Sequence, residues 1–454
     1  MANLSKIVSY SCYELGHCWD HSCSKASFEI CLIGFIESCK IYGVVYLLTW
    51  LVRGRKITLE YGRKILKDYV RSVCFLTTNA FGYIGSFCVI RKILQHVNFL
   101  SASFLPGFVG SVLAINVERV ERRPLLAVYV ANVASECLWN SAVANGYAKS
   151  IPRGEILIFA GTMAVLGYSF RSATPLSKTI NSILQLFLGR GESGKMIAAR
   201  QEGPAPDGAV PASFPRMSWV QRILQFFRGR HHACPHKGGC LPYFTWTALR
   251  GFSQGFLLQL AVKIIPSLPR LLGKPSKLYD LLTNPHNFQA GIFLGWFMSV
   301  FKGTCCLGRW WSGKDEAAHG AVAGVLSALS MYFYSAPSLA LYIMWKAIES
   351  IYEKGCDNGY LPRIPGSVEF LYALCTGYLF HSAVWESFNM KPSYWRFLDR
   401  LTWSRMSEYN RHLLTPYGLE SSKEFANYWP KYHLDHVTDS FKQEFQEVIA
   451  RGRY

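Results

Sequence analysis

Apolar residues along this chain come in long blocks rather than in short alternating runs. Such blocks cover 31–52, 72–90, 99–117, 125–143 and 156–170. After a polar gap they resume at 245–262, 288–308, 317–334, 338–352 and 368–385. A helix that crosses a bilayer needs roughly 20 mostly apolar residues, because in lipid its backbone has only itself to hydrogen-bond. Blocks 72–90 and 99–117 contain no Asp, Glu, Lys or Arg. Blocks 156–170, 338–352 and 368–385 are short or carry charge, and are expected to be tilted, partial or interfacial. The pattern predicts an all-α fold, a polytopic transmembrane helical bundle.

The polar stretches divide the chain. Residues 1–30 form a Cys/His-rich segment, and 31–170 a first transmembrane stretch. Residues 171–244 read as a flexible basic linker whose centre, Glu192 to Arg216, is rich in Gly, Pro, Ala and Ser and has no hydrophobic period. Within it Trp219 to Arg230 is a short basic amphipathic stretch suited to a membrane surface. A second transmembrane stretch covers 245–390. The tail, 391–454, reads as polar and aromatic, helical at 393–414 and outside the bilayer.

The two transmembrane stretches resemble each other. A shift of 213 positions places Phe75 on Phe288, Gly82 on Gly295, Gly107 on Gly320, Pro124 on Pro337, Tyr129 on Tyr342 and Glu136 on Glu349. It also places Asn145-Gly146-Tyr147 on Asn358-Gly359-Tyr360, without a gap. Turn and packing residues held in register over such a distance predict two homologous repeats of four or five helices. An odd number of crossings per repeat would invert the second copy, as in many transporters; four would leave the copies parallel.

Composition sharpens this. Half of the 454 residues are hydrophobic and only 17% charged, against about 25% in soluble domains. The net charge of +19 would suggest nucleic acid in a soluble protein. Here the basic residues cluster just outside apolar runs, as at Arg53, Arg55, Lys56, Arg63, Lys64, Lys67 and Arg71. That is how loops face an anionic lipid surface, so the lipid bilayer and not nucleic acid is the expected partner. No secretory signal opens the chain, residues 1–27 make a poor mitochondrial presequence, and the last four residues are no receptor-read address. No nucleophile elbow, phosphate loop or H-E-x-x-H occurs, so the chain is not expected to be an enzyme or to carry a cofactor. His381 and Glu386 could in principle serve a membrane-embedded hydrolase, but no partner residues converge on them in the sequence.

Three groups of residues stand out. Gly291 and Gly295, and Gly320 and Gly324, are small residues four apart that let helix backbones approach closely. Between them lies a polar hairpin with Arg309, Lys314, Asp315 and Glu316. Glu136 and Glu349 are equivalent acids within apolar blocks, expensive there unless paired or wet. Lys346, three before Glu349, shares its helical face, and Glu37 with Lys40 forms a similar pair. Finally, Cys12, His17, Cys18, His21 and Cys23, and His231, His232, Cys234, His236 and Cys240, could make tetrahedral zinc sites. Neither cluster has paired C-x₂-C spacing, so no metal is assigned. Free thiols, a labile disulfide or palmitoylation are the alternatives.

The second half's motif, with Arg309, Lys314-Asp315-Glu316, Gly320 with Gly324, and Glu349, resembles the mitochondrial inner-membrane translocase (Tim) channel family over about a hundred residues. The first half keeps the spacing but has Ser101-Ala102-Ser103 in place of the hairpin. A closer resemblance covers nearly the whole chain. Cys12-Tyr13-Glu14-Leu15-Gly16-His17 with Cys23, Phe75-Leu76-Thr77 with Asn79, Arg91-Lys92-Ile93-Leu94, Lys302-Gly303-Thr304 and Pro392-Ser393-Tyr394-Trp395 are similar to the transmembrane protein 135 (peroxisomal membrane protein 52) family. The linker, 171–240, departs most from it. That resemblance implies a multi-pass protein of mitochondrial and peroxisomal membranes, without catalytic activity. It implies a role in the balance of mitochondrial fission and fusion, in mitochondrial metabolism, and in peroxisome organisation and lipid metabolism. The mitochondrial fission machinery or other organelle membrane proteins are then the expected partners. The alternative is a transporter or channel for a small solute or lipid-derived metabolite, its path between the repeats and lined by Glu136 and Glu349.

Overall fold

The structure is a computed structural model that describes residues 5–53, 58–172, 178–202, 229–273 and 277–446. Among these residues the chain is all-helical, with one isolated antiparallel bridge between Val8 and Val97. Among the described residues three helices are long and apolar enough to cross a membrane, over Cys23–Trp50, Leu59–Leu94 and Leu278–Ser312. Two shorter apolar ones are Phe104–Val117 and Ala318–Tyr332. Apolar composition alone therefore marks fewer crossings than the ten blocks suggest.

The chain folds into two compact units, Met1–Ser150 with Ile364–Tyr454, and Ile151–Arg363. This grouping by contacts cuts across the linear division at residues 170 and 245: the last helix of each sequence half packs with the other half.

The first unit holds α1 (Cys12–Leu15), α2 (Cys23–Arg53), α3 (Leu59–Leu94), α4 (Phe104–Val117) and α5 (Arg123–Ala144). Local chemistry sets the ends. Thr58 caps α3 by accepting from the Tyr61 amide at 3.3 Å, and Gln95 ends it in the left-handed region. Pro124 opens α5, where a missing N–H costs nothing. Helix α3 packs on α2 and α4. The outward side chains of α2, including Leu32, Phe35, Val44 and Leu47, are apolar and exposed, as a lipid-facing surface requires. The helix Ser367–Trp385 packs against α4 and α5. Its Tyr372 hydroxyl accepts from Asn79 at 2.6 Å, and Asn79 in turn accepts from Ser111 at 3.3 Å, which ties three helices through one polar clamp.

The tail is not a helical appendage. The helix expected over 393–414 stops at Leu401, because Trp403 and Ser404 take positive φ values that end it. Beyond it, Tyr409, Leu413, Leu414, Tyr417 and Phe441 are fully buried in the first unit's core. Arg411 is buried with them. It donates to the carbonyls of Ala383 and Met406 and lies over the Phe425 ring at 4.0 Å. The tail also clasps the N-terminal segment: Tyr432 donates to the Glu14 carbonyl at 2.5 Å, and Tyr10 donates to Glu444 at 2.9 Å.

The second unit begins with α6 (Gly154–Arg171), α7 (Lys178–Leu188) and α8 (Gly194–Glu202). It continues with α9 (Cys240–Gly273), α10 (Lys277–Leu282), α11 (Pro285–Ser312), α12 (Ala318–Ser327) and α13 (Pro337–Asp357). Completing the first unit are α14 (Ser367–Trp385), α15 (Pro392–Leu401) and α16 (Asp439–Glu444). In the second unit α11 packs on α9 and α12, and α6 packs on α12 and α13. The expected flexible linker is folded at both of its described ends: α7 buries Leu184 and Leu188, Glu192 is buried, and Cys234 and Cys240 are enclosed. Residues 203–228, with most of the Trp219–Arg230 stretch, lie outside the described residues.

Candidate functional site

The predicted packing glycines do what their spacing requires. A Cβ on Gly295 would stand 2.8 Å from the Ala248 carbonyl oxygen, and one on Gly291 would enter the Phe252 ring, so α9 and α11 touch along their backbones. A Cβ on Gly324 would meet the Met163 carbonyl oxygen at 2.1 Å, and one on Gly320 would meet that of Gly167 at 2.2 Å. The partner of this small-residue face is α6, from the first half of the sequence.

The polar hairpin divides. Lys314 is exposed beyond the Gly313 turn that closes α11. Arg309 and Asp315 are buried and join two residues the sequence did not associate with them. Arg171, the last residue of α6, pairs with Glu192 at 2.5 Å and with Asp315. Arg309 pairs with the same Glu192 and, at 2.9 Å, with Asp315. Two guanidiniums and two carboxylates thus balance one another's charge out of water, the arrangement that makes a buried charge tolerable.

The intramembrane acids are both paired. Glu349 accepts from Lys346 at 2.6 Å, the i,i+3 pair read from the sequence, and Glu136 lies 3.6 Å from Lys391. Glu37 binds Lys40 at 2.6 Å and also Arg400 at 3.0 Å. His381 meets Ser103 at 2.9 Å, while Trp385 donates to the same hydroxyl at 3.1 Å. Ser103 is fully buried, so this contact ties α14 to the turn before α4 and offers no accessible nucleophile.

The Cys/His segments are rearranged most. Cys12, His17 and Cys23 converge with Cys88 of α3, and Cys234, His236 and Cys240 converge with Cys306 of α11. In each group the four ligand atoms lie within 4.8 Å of one another. Cys88 and Cys306 lie inside apolar blocks far from either cluster in sequence, where they read as small hydrophobes; only the fold brings them in. Cys18, His21, His231 and His232 stay out of both groups. Cys18 is buried against Tyr432 at 3.4 Å. His231 packs edge-on against Trp310, and burial, with His232 beside it, pushes its imidazole down to about 4.

No solved structure matches the chain. Residues 9–143 match the N-terminal cysteine-rich region of Transmembrane protein 135, a stretch that contains all four members of the first Cys/His group. The helices, the apolar outer surface and this match together make the chain a membrane protein whose residues 9–143 are similar to the cysteine-rich region of the Transmembrane protein 135 family.

Proposed function

We propose that the protein is a non-enzymatic, multi-pass component of mitochondrial and peroxisomal membranes. It acts in the balance of mitochondrial fission and fusion and in peroxisomal lipid handling through contacts with other organelle membrane proteins. The match of the cysteine-rich region carries this reading. In it the chain consists of two homologous five-helix copies. Helices α6 and α14 start 213 residues apart, at Gly154 and Ser367, and α5 and α13 carry Pro124 and Pro337 in their first turns. The packing repeats as well: Gly107 abuts Phe380, and the shifted pair, Gly320 and Gly167, abuts in the same way. Contacts between the N-terminal segment and the tail favour both on one side of the membrane, hence an even total of crossings. Transport through Glu136 and Glu349 is the weaker reading, since each acid already holds a lysine.

Subcellular fractionation of the tagged full-length protein, with protease protection of tags at both ends and in 203–228, tests this. Residence in mitochondria and peroxisomes, with both ends protected or exposed together, is the expected result. Residence in neither organelle overturns the proposal. Altered mitochondrial length on depletion, restored equally by wild type and by Glu136→Gln, is expected for a role that needs no ion path. Failure of Glu136→Gln alone to restore it would favour transport.

A further inference from the structure

The two Cys₃His groups share a construction. In each, two ligands come from a segment just ahead of the unit's first long helix. A third is the first residue of that helix, Cys23 of α2 and Cys240 of α9. The fourth comes from the second long helix: Cys88 stands six residues before Leu94 at the end of α3, and Cys306 six before Ser312 at the end of α11. Two unrelated Cys/His segments have thus reached the same arrangement at like places in the two units.

The second group has the dimensions of a metal site. Cys234 Sγ lies 3.8 Å from Cys306 Sγ and 4.0 Å from Cys240 Sγ, and Cys306 Sγ lies 3.5 Å from His236 Nε2. Around a tetrahedral zinc, with bonds of about 2.3 Å to sulfur and about 2.0–2.1 Å to nitrogen, neighbouring donors stand roughly 3.5–3.8 Å apart. A disulfide would need sulfurs about 2.05 Å apart, and would leave the third thiol without a partner. All four residues are buried.

Both histidines are set for ligation. His236 Nδ1 is 2.6 Å from the Gly238 carbonyl and His17 Nδ1 is 2.7 Å from that of Asp20, so Nδ1 carries the proton and Nε2 keeps its lone pair. Such a second hydrogen bond is what fixes the tautomer and orientation of a metal-bound imidazole. His17 is fully buried, and its Nε2 has no hydrogen-bond partner among the described residues. A short capped turn builds that site: Ser11 and Glu14 cap α1 reciprocally, which presents Cys12 and His17 together, and Gly16 lies against the Phe87 ring beside Cys88.

Charge gives a further reason at the second site. Zinc with three thiolates carries −1. Arg309 points its Nη1 at Cys306 Sγ, 3.6 Å away, and at Cys234 Sγ, 4.0 Å away. Arg309, Arg171, Glu192 and Asp315 are neutral as a set. Lys302, 5% exposed and 5.1 Å above the Tyr243 ring, makes no ion pair among the described residues. A −1 metal centre beside this set cancels that remaining buried charge; three neutral thiols would not.

We propose that each unit binds one zinc ion, through Cys12, His17, Cys23 and Cys88 in the first and Cys234, His236, Cys240 and Cys306 in the second. The three thiols of each site release their protons to solvent as the ion binds. The ion fastens the segment before the unit's first long helix to the second long helix, with no open coordination position and therefore a structural role.

The test is elemental analysis of the full-length protein, purified in detergent under reducing conditions without metal-affinity resin, together with zinc K-edge absorption. Two zinc ions per chain and a shell of three sulfurs and one nitrogen are expected. The pair Cys23→Ser with Cys88→Ser, or Cys240→Ser with Cys306→Ser, lowers two ions to one. Cys18→Ser and Cys305→Ser retain both. If the paired variants fail to fold, titration of wild type with an organomercurial keeps the proposal testable, since both ions must be released as the cluster thiols react. Less than about one-fifth of an ion per chain, a shell of nitrogen and oxygen only, iron or copper in place of zinc, or a disulfide within either group would each overturn it.

Discussion

Glu192 tests how the second unit is held together, because one carboxylate there faces two buried guanidiniums. In Glu192→Gln the side chain keeps its shape and loses its charge. Arg171 and Arg309, both fully buried, are left with Asp315 alone between them. Breaking a buried pair by removing one partner costs about 3–5 kcal/mol, since the remaining charge cannot return to water. The second unit spans Ile151–Arg363. For a domain of that size each kcal/mol moves the midpoint of thermal unfolding by roughly 2–4 °C, so the variant should unfold roughly 6–20 °C earlier. Trp310 and Trp311 sit on α11 beside Arg309 and make intrinsic fluorescence in detergent a suitable readout. The lesion should also loosen the segment that Glu192 anchors, so trypsin should cut at Lys195 sooner than in wild type. The double variant Arg171→Gln with Glu192→Gln should lose less than the sum of the two single losses, because the second removal takes away a charge the first left unpaired. A loss under about 1 kcal/mol for Glu192→Gln, with cleavage at Lys195 unchanged, is what a solvated surface pair would give, and it would refute a docked Glu192.

Two further predictions rest on single positions. Gly324→Ala sets a methyl against the Met163 carbonyl and should cost about 1–3 kcal/mol, whereas Gly161→Ala, with open space at its Cβ, should be neutral or slightly stabilising; denaturant melts of both variants in the same detergent distinguish them. Cys18 should resist maleimide at pH 8 in the folded protein and react after unfolding, because burial pushes its thiol up to about 12, leaving a thiolate fraction on the order of 10⁻⁴. Partly exposed Cys356, beyond the end of block 338–352, is the internal control, and mass spectrometry of labelled peptides reads both.

What could be read from the sequence is what depends on neighbours along the chain. The apolar blocks give the helices, Gly291 with Gly295 and Gly320 with Gly324 give close-packed faces, and the Lys346–Glu349 pair follows from one helical turn. The likeness of the hairpin to the Tim channels rests on spacing, and among the described residues the structure ion-pairs only Arg309 and Asp315 of it and packs Gly320 and Gly324. What could not be read depends on partners set by tertiary packing. Periodicity shows that Gly320 presents a small-residue face but not that α6 covers it. Cys88 and Cys306 look like ordinary buried hydrophobes, because nothing local marks a ligand whose fellows lie 65 and 66 positions away, at Cys23 and Cys240. Glu192 opens a stretch rich in glycine and alanine, so composition hid a residue that α7 delivers into the core.

The tail carried a signal that could have been used. Tyr409, Leu413, Leu414 and Tyr417 place large apolar side chains within nine residues, too many for a solvated appendage, and the structure buries all four. With Tyr432 and Glu444 clasping the N-terminal segment, the first unit's core depends on residues from both ends of the chain. The first unit is therefore complete only after the tail is made, whereas the second, Ile151–Arg363, is continuous in sequence and can form beforehand. In that order the N-terminal helices wait for α14, and a fixed ion at Cys12, His17, Cys23 and Cys88 would hold the N-terminal segment near α3 until the tail arrives to cover it.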